Sequence, residues 1–230
     1  MDLKLRDVAQ LLDVSETTIR RWIAESKIPY YRLSQQYRFN RSEIENWVLS
    51  SRKEGEFEPF AAEEREQHLG SQQFGLFRAI HKGGVFADVE GDTKEALIRS
   101  AMKRIASHLH LDAEVMTELL LDRERLMPTA LSHGIGVPHT RDFLLQESFD
   151  VVTVVFPAKP IDYGAFDGKP VHTLFFLFAC DDRRHLHLLA KLAHLASRSD
   201  NLSFLKKQPG KKELLEYIKI WEGGLNRPLA

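Results

Sequence analysis

The chain has 230 residues, enough for one large domain or for a small one followed by a medium one. Its 43% hydrophobic and 28% charged residues are the make-up of a soluble globular protein, and a net charge of −1 excludes a global basic field, so any nucleic-acid function must come from local arrangement. The single cysteine, Cys180, excludes an internal disulfide framework and a cysteine-built zinc site, and it suits a reducing cytosol.

The N-terminus, MDLKLRDVAQLLDVSE, carries a charge every few residues and has no apolar h-region, so it does not read as a signal peptide. The longest apolar runs, residues 151–157 and 173–180, are too short to cross a bilayer and read as buried strands. The expectation is a soluble cytoplasmic protein with no membrane insertion.

Residues 1–51 form a first block. Leu5, Val8, Leu11 and Leu12 recur at helical spacing, and Ser15 is placed to cap a second helix that buries Ile19, Trp22 and Ile23. Segments 29–33 and 37–40 flank Ser34-Gln35-Gln36 as a short hairpin. Residues 41–49 then form a third helix with Ile44, Trp47 and Val48 inward. Residues 52–73 are polar and acidic, broken by Gly55, Pro59 and Gly70, with no sustained period, and read as a linker.

A second domain is expected over 74–226. It opens with an amphipathic stretch at 74–81 and a strand at 85–89. A helix starting around Asp92-Thr93-Lys94-Glu95 presents Ile98, Ala101, Met102, Ile105 and Leu109 on one face. A further helix over 112–126 is expected to turn Val115, Leu119 and Leu126 inward. Strands follow at 130–137, 150–156 and 171–178, with helices at 185–197, 202–207 and 211–221. Helices interleaved with strands predict an α/β layered domain.

Two local patterns carry chemistry. In the first block a small Ala9 sits where two helices must approach closely. The second of these helices exposes Thr17, Thr18, Arg20 and Arg21, with Ser15 at its start and Arg32 and Arg38 in the hairpin placed to grip a phosphate backbone. This block resembles the excisionase/MerR-like winged helix-turn-helix family over residues 3–50, which implies sequence-directed DNA binding, usually by a dimer. Against that, residues 1–50 hold eight basic and seven acidic side chains, a balance of +1 that is weak for displacing counterions. The same pattern also fits a three-helix module used for protein contact or dimerisation.

The second pattern is the string Gly134-Ile135-Gly136-Val137-Pro138-His139-Thr140, in which a strand leads into a histidine whose approach is fixed by Pro138. Such an imidazole is a candidate nucleophile. The string is similar to the GIAIPH-type active-site sequence of the enzyme IIA domains of the fructose, mannitol and nitrogen phosphotransferase systems (type 2). The upstream RERLMPT and the downstream PIDYGAFDGKPVHTLFFLFA and RHLHLLAKLAHLAS agree with the same family over residues 74–221. The resemblance implies a mixed β-sheet with helices on both faces. It implies that His139 takes a phosphoryl group, that Arg123 neutralises its charge, and that His185 orients the first histidine. His185 is expected to open its helix, where backbone N–H groups favour phosphate. Gly136 departs from the family's usual alanine.

No metal or cofactor is required by this chemistry. A site built from His133, His139 and His185 lacks a cysteine or a carboxylate at ligand spacing. Glu124 and Asp122 read as solvated helix-end charges, Cys180 as a buried small hydrophobe, and Asp162 and Asp167 as turn formers. The resemblance implies a phosphocarrier with no independent turnover, loaded by a phosphohistidine carrier protein. Its expected role is that of a nitrogen-regulatory-like IIA protein that binds DNA in response to phosphorylation, as a homodimer. The alternative is a sugar-transport IIA handing phosphate to a separate IIB domain or regulatory protein, with the N-terminal block used for protein contacts. Every version requires His139, Arg123 and His185 to converge on one open hollow.

Overall fold

The computed structural model describes residues 2–12, 14–33, 35–50, 74–140 and 149–224, so the linker expected over 52–73 lies outside the described residues. The N-terminal module runs β1 (Asp2–Lys4), α1 (Leu5–Leu12), α2 (Glu16–Ala24), β2 (Tyr31–Leu33), β3 (Gln36–Asn40) and α3 (Arg41–Ser50). Ser15 caps α2 as its position predicts, its Oγ accepting from the Thr18 N–H at 3.0 Å. The Val14 N–H reaches back to the Ala9 carbonyl at 3.0 Å to close the turn between α1 and α2. The expected hairpin gains a third strand, because β1 pairs antiparallel with β3 to give the order β1-β3-β2. Val8, Leu12, Ile19, Trp22, Phe39, Ile44 and Val48 form the buried interior.

The second domain runs α4 (Gly75–Gly83), β4 (Val85–Val89), α5 (Lys94–Leu109), α6 (Ala113–Leu126), β5 (Ile135–Gly136), β6 (Val151–Pro157), β7 (Thr173–Phe178), α7 (Asp182–Leu195), α8 (Ser199–Leu205) and α9 (Lys211–Gly224). Its four-stranded sheet has the order β4-β6-β7-β5, with an antiparallel β6–β7 pair flanked by two parallel pairs. Alternation along the central strands sends Val152, Val154, Phe156, Phe175 and Leu177 to one face, against α4, α7 and α9. Val151, Val155, Leu174, Phe176 and Phe178 go to the other, against α5 and α6. Both faces are covered, which is why these strands are almost wholly apolar and their threonines, Thr153 and Thr173, are buried. The first of these cores is continuous with the interior of the N-terminal module, because α1 and α3 lie against α7.

Three expectations need correction. On α6 the inward residues are Met116, Thr117, Leu120, Leu121, Arg123 and Glu124, while Val115 and Leu126 are 52% and 76% exposed. The buried stripe of Met116, Leu120 and Leu121 is itself apolar, and at its C-terminal end it carries the charged Arg123 and Glu124 inward. Residues 130–137 are not one strand. The Leu131 N–H bonds the Ile135 carbonyl at 2.7 Å across a tight turn, leaving only β5 in the sheet. Gly134 occupies that turn at φ +82°, and a Cβ there would stand 2.5 Å from the His172 ring. Finally, α7 begins at Asp182, capped by Asp181, so His185 lies in its first turn with its own N–H bonded to the Asp181 carbonyl at 3.0 Å.

Among the described residues no helix is long and apolar enough to cross a membrane.

Candidate functional site

The chain leaving β5 continues beside β7, where the Leu177 N–H bonds the Pro138 carbonyl at 2.9 Å and fixes the backbone that carries His139. The imidazole then turns back on its own strand, with Nδ1 2.7 Å from the Val137 carbonyl. A carbonyl only accepts, so Nδ1 carries the proton and Nε2 keeps its lone pair. No described residue makes a hydrogen bond to Nε2. From α7 the His185 ring comes to 5.1 Å from the His139 ring, centroid to centroid, tilted by 60°. Arg123, at the end of α6, donates from Nη1 to the Met127 carbonyl at 3.0 Å, which holds its guanidinium at the helix end. Burial pushes the His139 pKa from 6.5 down to about 3, with His185 and Arg123 pushing the same way and Glu45 and the Val137 hydrogen bond opposing. His139 is therefore a neutral imidazole with one available nitrogen. The three residues expected to work together do share one hollow.

The hollow is not open. His139 and His185 are both 0% exposed, contrary to the expectation of an accessible site. Helix α3 lies over it. Glu45, itself 0% exposed, places Oε1 3.1 Å from His185 Nε2, and Asn46 Oδ1 accepts from Arg123 Nη2 at 3.5 Å. Nothing in the sequence pattern separates Glu45 from an ordinary helix-surface acid, since it adjoins the apolar Ile44 and its neighbours are set by a second domain. Donor atoms of Glu45, His139 and His185 lie within 4.8 Å of one another, so the carboxylate thought missing for metal ligation is present. His133 is not part of that group and lies exposed in the turn before β5. The three side chains could hold a divalent cation, but the Arg123 charge that disfavours protonation of His139 also opposes one there.

A buried cluster supports the α6 end of the site. Glu124, read from sequence as solvated, is 4% exposed. Its carboxylate accepts from the Thr129 backbone at 3.2 Å and from the Thr129 hydroxyl, and from the Tyr163 hydroxyl at 3.1 Å, with Lys94 Nζ 3.5 Å away. Burial raises its pKa, against those hydrogen bonds and the Lys94 charge. Asp122 stays exposed, its carboxylate paired with Arg125 at 2.5 Å. Asp162 and Asp167 accept backbone N–H groups in their turns, and Asp167 also takes the His133 N–H at 2.7 Å, tying that connection to the turn before β5. Cys180 is only half-buried, and its thiol is pushed up to about 11, mainly by desolvation and then by Asp150, so it stays protonated.

In the N-terminal module Thr17, Arg20 and Arg21 are exposed on α2, while Ser15 and Thr18 are half-buried and engaged in the cap. Arg20 lies 3.8 Å from Glu16, an exposed pair of little strength. The hairpin does not bring its two arginines together. Arg32 is paired across the strands with Tyr37, and Arg38 with Tyr31, so they point to opposite faces. Arg38 also donates to Gln36 Oε1 at 2.6 Å.

Comparison with known proteins agrees with this division. Residues 78–220 match the family described as phosphoenolpyruvate-dependent sugar phosphotransferase system, EIIA 2, and residues 3–52 match a helix-turn-helix domain. A nitrogen regulatory protein of Pseudomonas aeruginosa is 30% identical over 152 residues, covering 65% of this chain and 97% of that protein. One from Escherichia coli is 28% identical over 138 residues, covering 59% and 83%. The crystal structure of nitrogen regulatory protein IIA-Ntr from Neisseria meningitidis shares the fold, with a TM-score of 0.56 at 24% identity over 62% of this chain and 98% of that one.

Proposed function

Because the chain belongs to the EIIA 2 family of the phosphoenolpyruvate-dependent sugar phosphotransferase system and carries a helix-turn-helix domain ahead of it, we propose that His139 accepts a phosphoryl group from a phosphohistidine carrier protein. The observation that carries this reading is the imidazole with its proton on Nδ1 and its Nε2 lone pair presented beside His185 and Arg123.

The donor's P–N bond breaks as a bond forms from phosphorus to His139 Nε2, in line. The departing electron pair stays on the donor imidazole, which takes a proton from solvent, while the phosphorylated His139 ring keeps its Nδ1 proton and carries a positive charge. Positive charge that develops on the His139 ring strengthens the Nδ1–H hydrogen bond to Val137. Arg123 balances the equatorial oxygens, and His185 donates to or orients the group. These are positioning and charge effects, and no metal enters the step. The residue acts as a carrier, discharged to an acceptor such as a IIB domain or a regulatory target.

The N-terminal module binds DNA, with Thr17, Arg20 and Arg21 of α2 towards the major groove and Ser15 and Thr18 fixing the start of that helix; of Arg32 and Arg38, which lie on opposite faces of the hairpin, one can face the same duplex. The whole is a phosphorylation-responsive regulator of the nitrogen-regulatory type, acting in the cytoplasm, and a homodimer on DNA would compensate for a module of low net charge. The nitrogen-regulatory role is favoured over sugar transport by the near-complete coverage of the Pseudomonas aeruginosa relative.

The test mixes the full chain with phosphoenolpyruvate and the general phosphotransferase proteins and follows intact mass. A labile gain of one phosphate is expected, absent in His139→Ala. Undiminished labelling of that variant would end the proposal. A gel shift at low salt checks the DNA half, and no affinity for any genomic fragment would remove it.

A further inference from the structure

Each of the three residues that would handle the phosphoryl group is met by helix α3. Glu45 Oε1 stands 3.1 Å from His185 Nε2, and its carboxylate shares a cluster with the His139 ring in which donor atoms lie within 4.8 Å of one another. One residue on, Asn46 offers an oxygen to the Arg123 guanidinium. An anionic pair of oxygens and a neutral one thus occupy the cationic and N–H-donating positions that phosphoryl oxygens would use. The fit is made by a helix that leans on α7 together with α1, and the apolar interior runs unbroken from the N-terminal module into the second domain.

We propose that the N-terminal module is a phosphorylation-released cover: it docks on the unphosphorylated site with Glu45 standing in for the phosphoryl oxygens, and phosphorylation of His139 expels it. The inference rests on the reading of His139 as the acceptor. Two physical facts drive it. His139 is 0% exposed, so a phosphoryl group on Nε2 has no room while α3 is seated. The group also brings a charge of about −1.5 to −2 into a water-poor hollow that already holds a carboxylate. Linkage makes the effect reciprocal at equilibrium, so docking disfavours the phosphorylated state by the same free energy with which phosphorylation weakens docking. The surface concerned therefore has two competing occupants, this chain's own α3 and the phosphohistidine carrier. Thr17, Arg20 and Arg21 stay exposed in the docked arrangement, so what the cover hides is the acceptor and not the outer face of α2.

The experiment uses the full chain and reads amide hydrogen exchange in α3 and α7, before and after phosphorylation by the carrier. Exchange in both helices should rise at least tenfold on phosphorylation. His139→Asp, which sets a carboxylate against Glu45 without any transfer chemistry, should raise it in the same helices, and His139→Asp/Glu45→Lys should restore protection. Glu45→Ala with His139 intact should take up phosphate at least fivefold faster than the natural chain. Fully phosphorylated protein with unchanged exchange overturns the cover, as does a His139→Asp chain that exchanges no faster than the His139→Asp/Glu45→Lys double variant. If no chain accepts phosphate, the acceptor reading fails instead, and the two aspartate variants still decide whether charge at 139 governs docking.

Discussion

Two carboxylates are buried to nearly the same degree, Glu222 at 2% exposure and Glu45 at 0%, and they serve opposite ends. Glu222 reaches from α9 to the start of α4, where it accepts from the Leu76 and Phe77 N–H groups at 3.0 and 2.7 Å and pairs with Lys191 of α7 at 2.8 Å. Those donors never change, so the contact welds three helices into one domain. Glu45 lies instead across the boundary between two domains, against histidines, and one of these is the proposed phosphoryl acceptor. A buried acid among fixed donors is architecture, whereas one beside a group that can gain negative charge is a conditional contact.

The sharpest way to break that contrast is to remove each acid in turn. Glu222→Ala leaves Lys191 buried without its carboxylate and should cost about 3–5 kcal/mol in chemical denaturation. A loss near zero would mean the weld is ornamental. Acidification comes next. His139 is held neutral down to about pH 3 when folded, against 6.5 when unfolded. Below pH 6.5 the unfolded chain gains a proton that the folded one refuses, so stability falls as pH drops, and above 6.5 the group contributes nothing. At about pH 5 the loss from this group is about 2 kcal/mol. Unfolding curves should show it in the natural chain and lack it in His139→Ala.

Glu45→Ala should cost only about 1 kcal/mol in the same denaturation assay, because the apolar interior that runs from the N-terminal module into the second domain is left untouched. A cost equal to that of Glu222→Ala would make Glu45 part of a permanent interior and erase the distinction. The smallest effect is a control on the loop itself. A Cβ on Gly136 would meet Leu174 and Val171 at 3.5 Å, ordinary contact, and the residue has no positive φ. Gly136→Ala should therefore stabilise by about 0.4–1 kcal/mol, read as a rise in Tm.

Much of the molecule was legible in the chain because it depends on neighbours in sequence. Ser15 and Thr93 cap their helices through N–H groups three residues on, at 3.0 and 3.1 Å. The strands at Val151–Pro157 and Thr173–Phe178 stand out as short apolar runs because both of their faces are covered. The face of α6 is ambiguous in the chain because Val115 with Leu126 and Met116 with Leu120 and Leu121 offer two apolar stripes, and only the folded structure shows the second one buried, with Glu124 held by Thr129, Tyr163 and Lys94. β1 carries no signal of its own in the chain, because a strand of three residues has no period to detect and only its pairing with β3 makes it one.

By itself the sequence determined a helical module ahead of an α/β domain, with the mixed sheet implied by family resemblance, and the string that sets His139 beside its own strand, since caps, alternation and a Gly-Pro-framed turn act over a few residues. Only the tertiary structure decided that His139, His185 and Arg123 share a hollow with Glu45 and Asn46 laid over it. Burial and charge depend on what arrives from elsewhere in the chain, and local pattern carries no record of a partner far along it.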